Sequence, residues 1–395
     1  MASFRAEQRL ILLSAGTAAR RQATQAETWR LMADADWARM AESLRVRKLL
    51  PALGPRMLEL AAGRADPHFA DAVAQSIEAA RPHAMALMLV GAQVTDALAA
   101  EGIPATPLKG PLLGETVYGT PERRLSSDID LLVAPEQLQA AVAVVRGLGY
   151  GAPADHVSAS GRPLLHFALE HEQMPPVELH WRIHWYEGRF AHERLIAPSG
   201  AEPGWKPTLA DELASLLLFY ARDGFAGLRL AVDLSAWWDK FGSELEQGAL
   251  DEVLQAYPQL ERALLVALRV AEWVVGLPSS RIASPMPRGR IRDRMAARLA
   301  NPNPRISQSQ QYADMGFIDG LLTPATEIPA FLRRQVFLPN AVIVEYARCN
   351  GDFRARSSAD YAMRVLARYG VSMMRSLLLP TEGGGTSAHA ALSGR

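Results

Sequence analysis

The sequence predicts an α+β protein, with a compact α/β unit set between an N-terminal and a C-terminal helical region. Three observations carry this. Apolar residues recur at helical spacing in Ala26–Met40 and Phe69–Leu98. Four short strand-like runs follow, in Ile103–Leu108, Asp128–Val133, Leu164–Glu170 and Val177–Trp181. From Thr208 onward helical periodicity returns. The expected boundaries are 1–101 for the first helical region, 102–205 for the α/β unit and 206–379 for the second helical region. A tail at 380–395, rich in glycine and small polar residues, is expected to be disordered.

Within the first region, Pro51, Pro55, Pro67 and Pro82 punctuate the helical pattern. Ile103–Leu108 reads as an edge strand, because Pro104 and Pro107 cannot donate ladder bonds. A short helix over Leu112–Tyr118 and a polar loop over Gly119–Ser127 lead into the strand Asp128–Val133. Pro135 suits the start of the next helix, and Gly149 ends it. In the C-terminal region, Asp211–Arg222, Leu228–Phe241, Leu250–Ala256, Leu260–Val275 and Phe331–Asn350 are helical by period, with Pro339 kinking or splitting the last.

Composition narrows the function. The 42 Lys+Arg and 42 Asp+Glu among 395 residues give zero net charge, which argues against a strongly basic nucleic-acid protein or a polyacidic tail protein. The single cysteine, Cys349, can form neither an internal disulfide nor a cysteine zinc cluster, so a reducing cytoplasm is expected. Ala84–Val94 is too short to span a bilayer, and Arg269 and Glu272 interrupt Ala263–Val275. The N-terminus makes a poor signal peptide and a reasonable amphipathic helix. No membrane association is expected.

The chemistry concentrates in the α/β unit. Asp128 and Asp130 stand two apart in a strand, which puts both carboxylates on one face and Ile129 and Leu131 on the other. Two acids so placed repel unless a cation lies between them, and Mg²⁺ is the hard cation that carboxylates share with substrate phosphates. Glu178 and His180 repeat the alternation in the last strand-like run. If the two strands are neighbours, Glu178 completes a three-carboxylate site for in-line phosphoryl displacement with two metals. Most Asp-x-Asp pairs are solvated strand ends; here the apolar continuation Leu131–Val133 places the acids on a sheet. Lys109-Gly110 ends the preceding strand at a helix start, where glycine admits close approach and a helix N-terminus favours phosphate. Arg124, in the loop before Asp128, is placed to neutralise a leaving pyrophosphate, although Arg123-Arg124 also reads as a surface pair.

The run LKGPLLGETVYGTPERRLSSDIDLLV, with VELHW some fifty residues on, resembles the nucleotidyltransferase superfamily. It is most similar to a bacterial family of uncharacterised nucleotidyltransferases, matched at Lys109, Gly110, Tyr118, Arg124, Asp128, Asp130 and Glu178. The resemblance covers residues 103–182. It implies a polymerase-β-like core, a mixed sheet with helices, and transfer of a nucleoside monophosphate from an NTP. It further implies that Asp128 and Asp130 hold two Mg²⁺ ions, with Mn²⁺ as the alternative. Glu178 would hold the catalytic metal and help deprotonate the acceptor hydroxyl, and Lys109 and Gly110 would lie against the triphosphate. Better-known superfamily members carry Gly-Ser at the phosphate turn where Lys109-Gly110-Pro111 stands here, so backbone amides and Lys109 must substitute for the serine. Arg229 and Asp233 remain from a pattern seen in relatives. At i, i+4 they either line the nucleotide or acceptor side of the cleft or form a salt bridge on the helix surface.

Other chemistries are weaker. His180 and His184 would need a helix to share a metal, while the aromatic and branched residues around them favour a strand. Instead, His180 is expected to hydrogen-bond near the acceptor. The sequence has no H-E-x-x-H, no G-x-S-x-G and no P-loop. Segment 279–310, with seven arginines between Arg281 and Arg305, reads as a solvated loop, and Trp237-Trp238 as helix packing. The acceptor is a small molecule, a peptide or a protein; zero net charge disfavours a long nucleic acid. A non-catalytic nucleotide- or partner-binding protein of the same fold, or a toxin or peptide-tailoring enzyme using the same chemistry, are the competing readings.

Overall fold

A computed structural model describes residues 6–151, 165–198, 205–225, 227–284, 289–299 and 317–336, together with 359, 360 and 363. The chain opens with five short helices: α1 (Ala6–Ala15), α2 (Ala18–Ala23), α3 (Gln25–Ala33), α4 (Trp37–Val46) and α5 (Leu50–Ala61). Side-chain caps start two of them, since Thr17 accepts from the Arg20 amide and Asp36 from the Arg39 amide. Asp66 caps α6 (Pro67–Ala100), a single helix of 34 residues with Pro67 in its first turn.

Pro55 and Pro82 lie inside α5 and α6 rather than between helices, which corrects the expected punctuation. A proline removes one helical hydrogen bond, and tertiary burial on both sides of it outweighs that loss. Phe69 and Val73, before Pro82, pack in a helical core; Leu87, Val94 and Leu98, after it, pack against the sheet. Ala84–Val94, too short by itself to span, is thus part of a longer apolar helix. By length and composition it is the one helix among the described residues able to cross a bilayer.

The sheet holds β1 (Ala105–Pro107), β2 (Ile129–Val133), β3 (His166–Leu169) and β4 (Val177–His180) in the order β1-β2-β4-β3. β2 and β4 are parallel, and both edge strands pair antiparallel. β1 is an edge strand, as its prolines require. Between β1 and β2 lie α7 (Pro111–Tyr118) and a 3₁₀ turn at Pro121–Arg123. α8 (Leu138–Gly147) follows β2 and, with the C-terminal half of α6, covers one face of the sheet. On that face Ile129, Leu131, Val133, Phe167, Val177 and Leu179 form an apolar cluster with Leu138, Val142 and Val145.

After a short α9 (Phe190–Arg194), the chain forms α10 (Leu209–Arg222), α11 (Arg229–Phe241), α12 (Ala249–Ala256) and α13 (Glu261–Val275). α10 is buried continuously from Leu213 to Ala221, the signature of a helix enclosed by other elements. Residues from both helical regions share one core: Leu10, Leu44 and Leu53 cluster with Leu217, Trp237 and Leu268. Trp237 is fully buried and donates through Nε1 to Glu212, while Arg281 lies over the Trp238 ring. Arg290–Leu299 forms a helix, so this part of the arginine-rich segment is not the expected loop. Pro339, Cys349 and the 380–395 tail lie outside the described residues.

Candidate active site

Pleating puts the polar residues of the strands on the sheet face opposite the apolar cluster. The parallel register pairs Asp130 with Glu178 and Leu132 with His180. The antiparallel register then pairs Glu178 with Ala168 and His180 with His166. One continuous patch therefore holds Asp130, Glu178, His180 and His166, drawn from three strands. The adjacency expected of Asp130 and Glu178 is present.

Asp130 is the most enclosed of these groups, at 3% exposure. Lys109 Nζ lies 3.2 Å from its Oδ1, and His180 Nε2 lies 2.8 Å from the same oxygen. Burial alone would raise the Asp130 carboxyl, but the Lys109 charge and the His180 hydrogen bond hold it well below the usual range. Its Oδ2 is buried and has no hydrogen-bond partner. Glu178 Oε2 lies 3.2 Å from His180 Nε2, and its Oε1 lies 3.6 Å from His166 Nε2. Burial pushes Glu178 up as well, and its hydrogen bond to His180 brings it down below the ordinary value. His166, depressed to about 3 by burial and by the neighbouring His180, is a neutral imidazole at physiological pH.

Phe219, on α10, closes this face. The Lys109 ammonium stands 4.9 Å from its ring centroid, and His180 meets it edge-on at 6.2 Å. Gly110 caps α7 at φ +81° and ψ −156°, a conformation that L side chains rarely adopt. A Cβ there would meet nothing nearer than Ser126 Oγ at 3.9 Å and the Asp128 carbonyl oxygen at 4.0 Å. The turn that ends β1 is thus set against the loop that begins β2. Asp128, expected inside the strand on one face with Asp130, instead lies half-buried in that loop, just before β2, and accepts from Ser126 Oγ at 3.0 Å.

Arg124 and Asp233 are both buried and pair with each other: Arg124 Nε donates to Asp233 Oδ2 at 2.9 Å. The Tyr118 hydroxyl donates to Asp233 Oδ1 at 2.8 Å. Burial lowers the Arg124 guanidinium, but Asp233 outweighs it, and the net effect is to hold the group charged. The surface salt bridge between Arg229 and Asp233 is corrected: Asp233 points into the protein and is 1% exposed. Arg229 Nη1 instead donates to the Leu125 carbonyl at 3.3 Å. Side chains from α11 therefore fasten the loop leading to Asp128 at two points.

Three residues of the site escaped the sequence reading. His166 was hidden because only the β3–β4 register brings it beside His180. Ser126 takes part although it does not follow Gly110 in the chain. Phe219 comes from the C-terminal helical region, with no local signal. His166, Glu178 and His180 each offer a ligand atom, and these atoms lie within 4.8 Å of one another.

No curated protein and no solved structure matches the chain. A family model described as "Uncharacterised nucleotidyltransferase" matches residues 33–276, more than half of the sequence and the whole of the sheet. On that match, the chain belongs to the uncharacterised nucleotidyltransferase family.

Proposed function

We propose that the protein is a divalent-metal-dependent nucleotidyltransferase with a polymerase-β-like core, moving a nucleoside monophosphate from an NTP to an acceptor hydroxyl. The observation that carries this is the register of Asp130 against Glu178, with Lys109 on Asp130 and the Gly110 turn set against the loop that carries Asp128. The donor set suits Mg²⁺ or Mn²⁺: three carboxylates, one of them with a buried oxygen that lacks a partner. Asp128, Asp130 and Glu178 would hold the ions. Bound divalent cations supply charge neutralisation and polarise the attacking and leaving oxygens.

The chain's own groups do the positioning. Lys109 and the α7 N-terminus at Gly110 receive the triphosphate, where ammonium charge and free amides favour an anion. The acceptor oxygen attacks the α-phosphorus, the bond from that phosphorus to the bridging oxygen breaks, and pyrophosphate leaves. Glu178 takes up the hydroxyl proton. Arg124, Arg229 and Asp233 act from behind, fixing the loop that carries Asp128. The acceptor is a small molecule, peptide or protein met in the cytoplasm, consistent with a chain of zero net charge.

The test is incubation with each labelled NTP and Mg²⁺ or Mn²⁺, with and without cell extract, following pyrophosphate and labelled acceptor. Turnover that survives the double substitution Asp128→Ala, Asp130→Ala overturns the assignment.

A further inference from the structure

We infer that His166, Glu178 and His180 form a mixed nitrogen–oxygen site selective for a borderline divalent metal such as Co²⁺ or Zn²⁺. It lies beside the carboxylate pair Asp128 and Asp130 and makes the two halves of the centre chemically unequal. The inference rests on the proposed function only in sharing Glu178.

Geometry is the first support. Metal–ligand bonds of 2.0–2.1 Å in a tetrahedral shell separate the ligand atoms by about 3.3 Å. Glu178 Oε2 stands 3.2 Å from His180 Nε2 and Glu178 Oε1 3.6 Å from His166 Nε2, and one ligand atom from each of the three residues lies within 4.8 Å of the others. Closing on one ion brings the most distant ligand atoms together by up to about 1.5 Å, within reach of side-chain rotation.

Ligand chemistry is the second. A site of carboxylates alone suits Mg²⁺, whereas imidazole favours the later first-row metals. His180 also bridges Asp130 and Glu178, but His166 on the adjacent strand has no evident role if Glu178 serves a hard cation only. His166 sits on the edge strand, 18% exposed at its side chain, next to a fully enclosed His180. Its Nδ1 and that of His180 are buried with no hydrogen-bond partner. The rings are therefore oriented by packing, His166 against His180 at 4.8 Å and His180 against Phe219.

The full chain, stripped with chelator and free of NTP, is titrated with Co²⁺ and, separately, with Cu²⁺. The expected results are intense Co²⁺ visible absorption of low coordination number and nitrogen hyperfine coupling in the pulsed EPR of bound Cu²⁺. Losing even an orienting partner of a ligand costs about 10–100-fold in metal affinity. His166→Phe, which keeps a ring on the edge strand, is therefore expected to weaken Co²⁺ binding at least about tenfold and reduce the nitrogen coupling. Cu²⁺ bound to the wild-type chain without nitrogen coupling overturns the inference, whatever any variant does. Unchanged Co²⁺ affinity in a folded His166→Phe overturns it too. Nucleotidyl transfer that still needs Asp128 and Asp130 would then stand, so the two readings fail separately. Nitrogen-coupled Cu²⁺ in a chain that transfers no nucleotide supports this site and sinks the proposed function.

Discussion

Asp130 and Glu178 face each other across parallel strands, and a single nitrogen of His180 touches both carboxylates. The contact ties two acids that would otherwise repel, and the Lys109 ammonium adds a positive charge beside Asp130. Asp130→Asn keeps the shape and removes the charge. Loss of several kcal/mol of transition-state stabilisation, about two orders of magnitude or more in rate, is expected. Pyrophosphate release at saturating NTP measures it, with a thermal melt confirming that the fold persists.

The Arg124–Asp233 pair is buried on both sides and fastens the Asp128 loop to α11. Removing one member of such a pair costs about 3–5 kcal/mol, because the other charge is left uncompensated. Arg124→Met is expected to lower the urea midpoint accordingly. Arg124→Met together with Asp233→Leu should recover part of that loss, and a strictly additive double variant would refute the coupling.

Gly110 occupies a backbone conformation closed to other residues, yet a Cβ there has room. Gly110→Ala therefore acts through strain, at about 1–3 kcal/mol, rather than through a clash. The turn relaxes by rotating away from its present φ, which carries the α7 N-terminus with it. A raised KM for NTP with a smaller change in kcat is the expected signature in steady-state kinetics.

The Tyr118 phenol is pushed well above its ordinary value by burial and by Asp233, to which it donates. Between about pH 10, where the unfolded chain loses this proton, and the raised value, the folded chain still holds it. The folded state binds more protons there, so stability falls as pH rises through that window. Tyr118→Phe should flatten the slope of Tm against pH above 10, at the expense of one hydrogen bond to a carboxylate, about 1.5–3 kcal/mol at neutral pH.

Much of the architecture was legible because period and punctuation are local. Alternation in Ile129–Val133 and Val177–His180 separated polar from apolar faces, and prolines marked β1 as an edge, whereas Asp128 fell in the loop just outside its expected strand. What failed was whatever tertiary burial overrides. Pro55 and Pro82 sit mid-helix because packing on both sides sustains the helix. Asp233 turns inward because Arg124 and Tyr118, more than a hundred residues away in sequence, meet it there. His166 became part of the site through a strand register that no nearby residue announces.

The unbroken run of α6 has a consequence for how the molecule comes apart. A helix of that length reaches roughly 50 Å, and its two halves belong to different apolar clusters. It works as a shared crossbeam: neither the sheet layer nor the helical bundle can lose order without stripping cover from the other. Calorimetric unfolding of the described body is expected as one transition. A polar residue at Leu87 or Val94 should lower the melting temperature of the distant bundle along with that of the sheet.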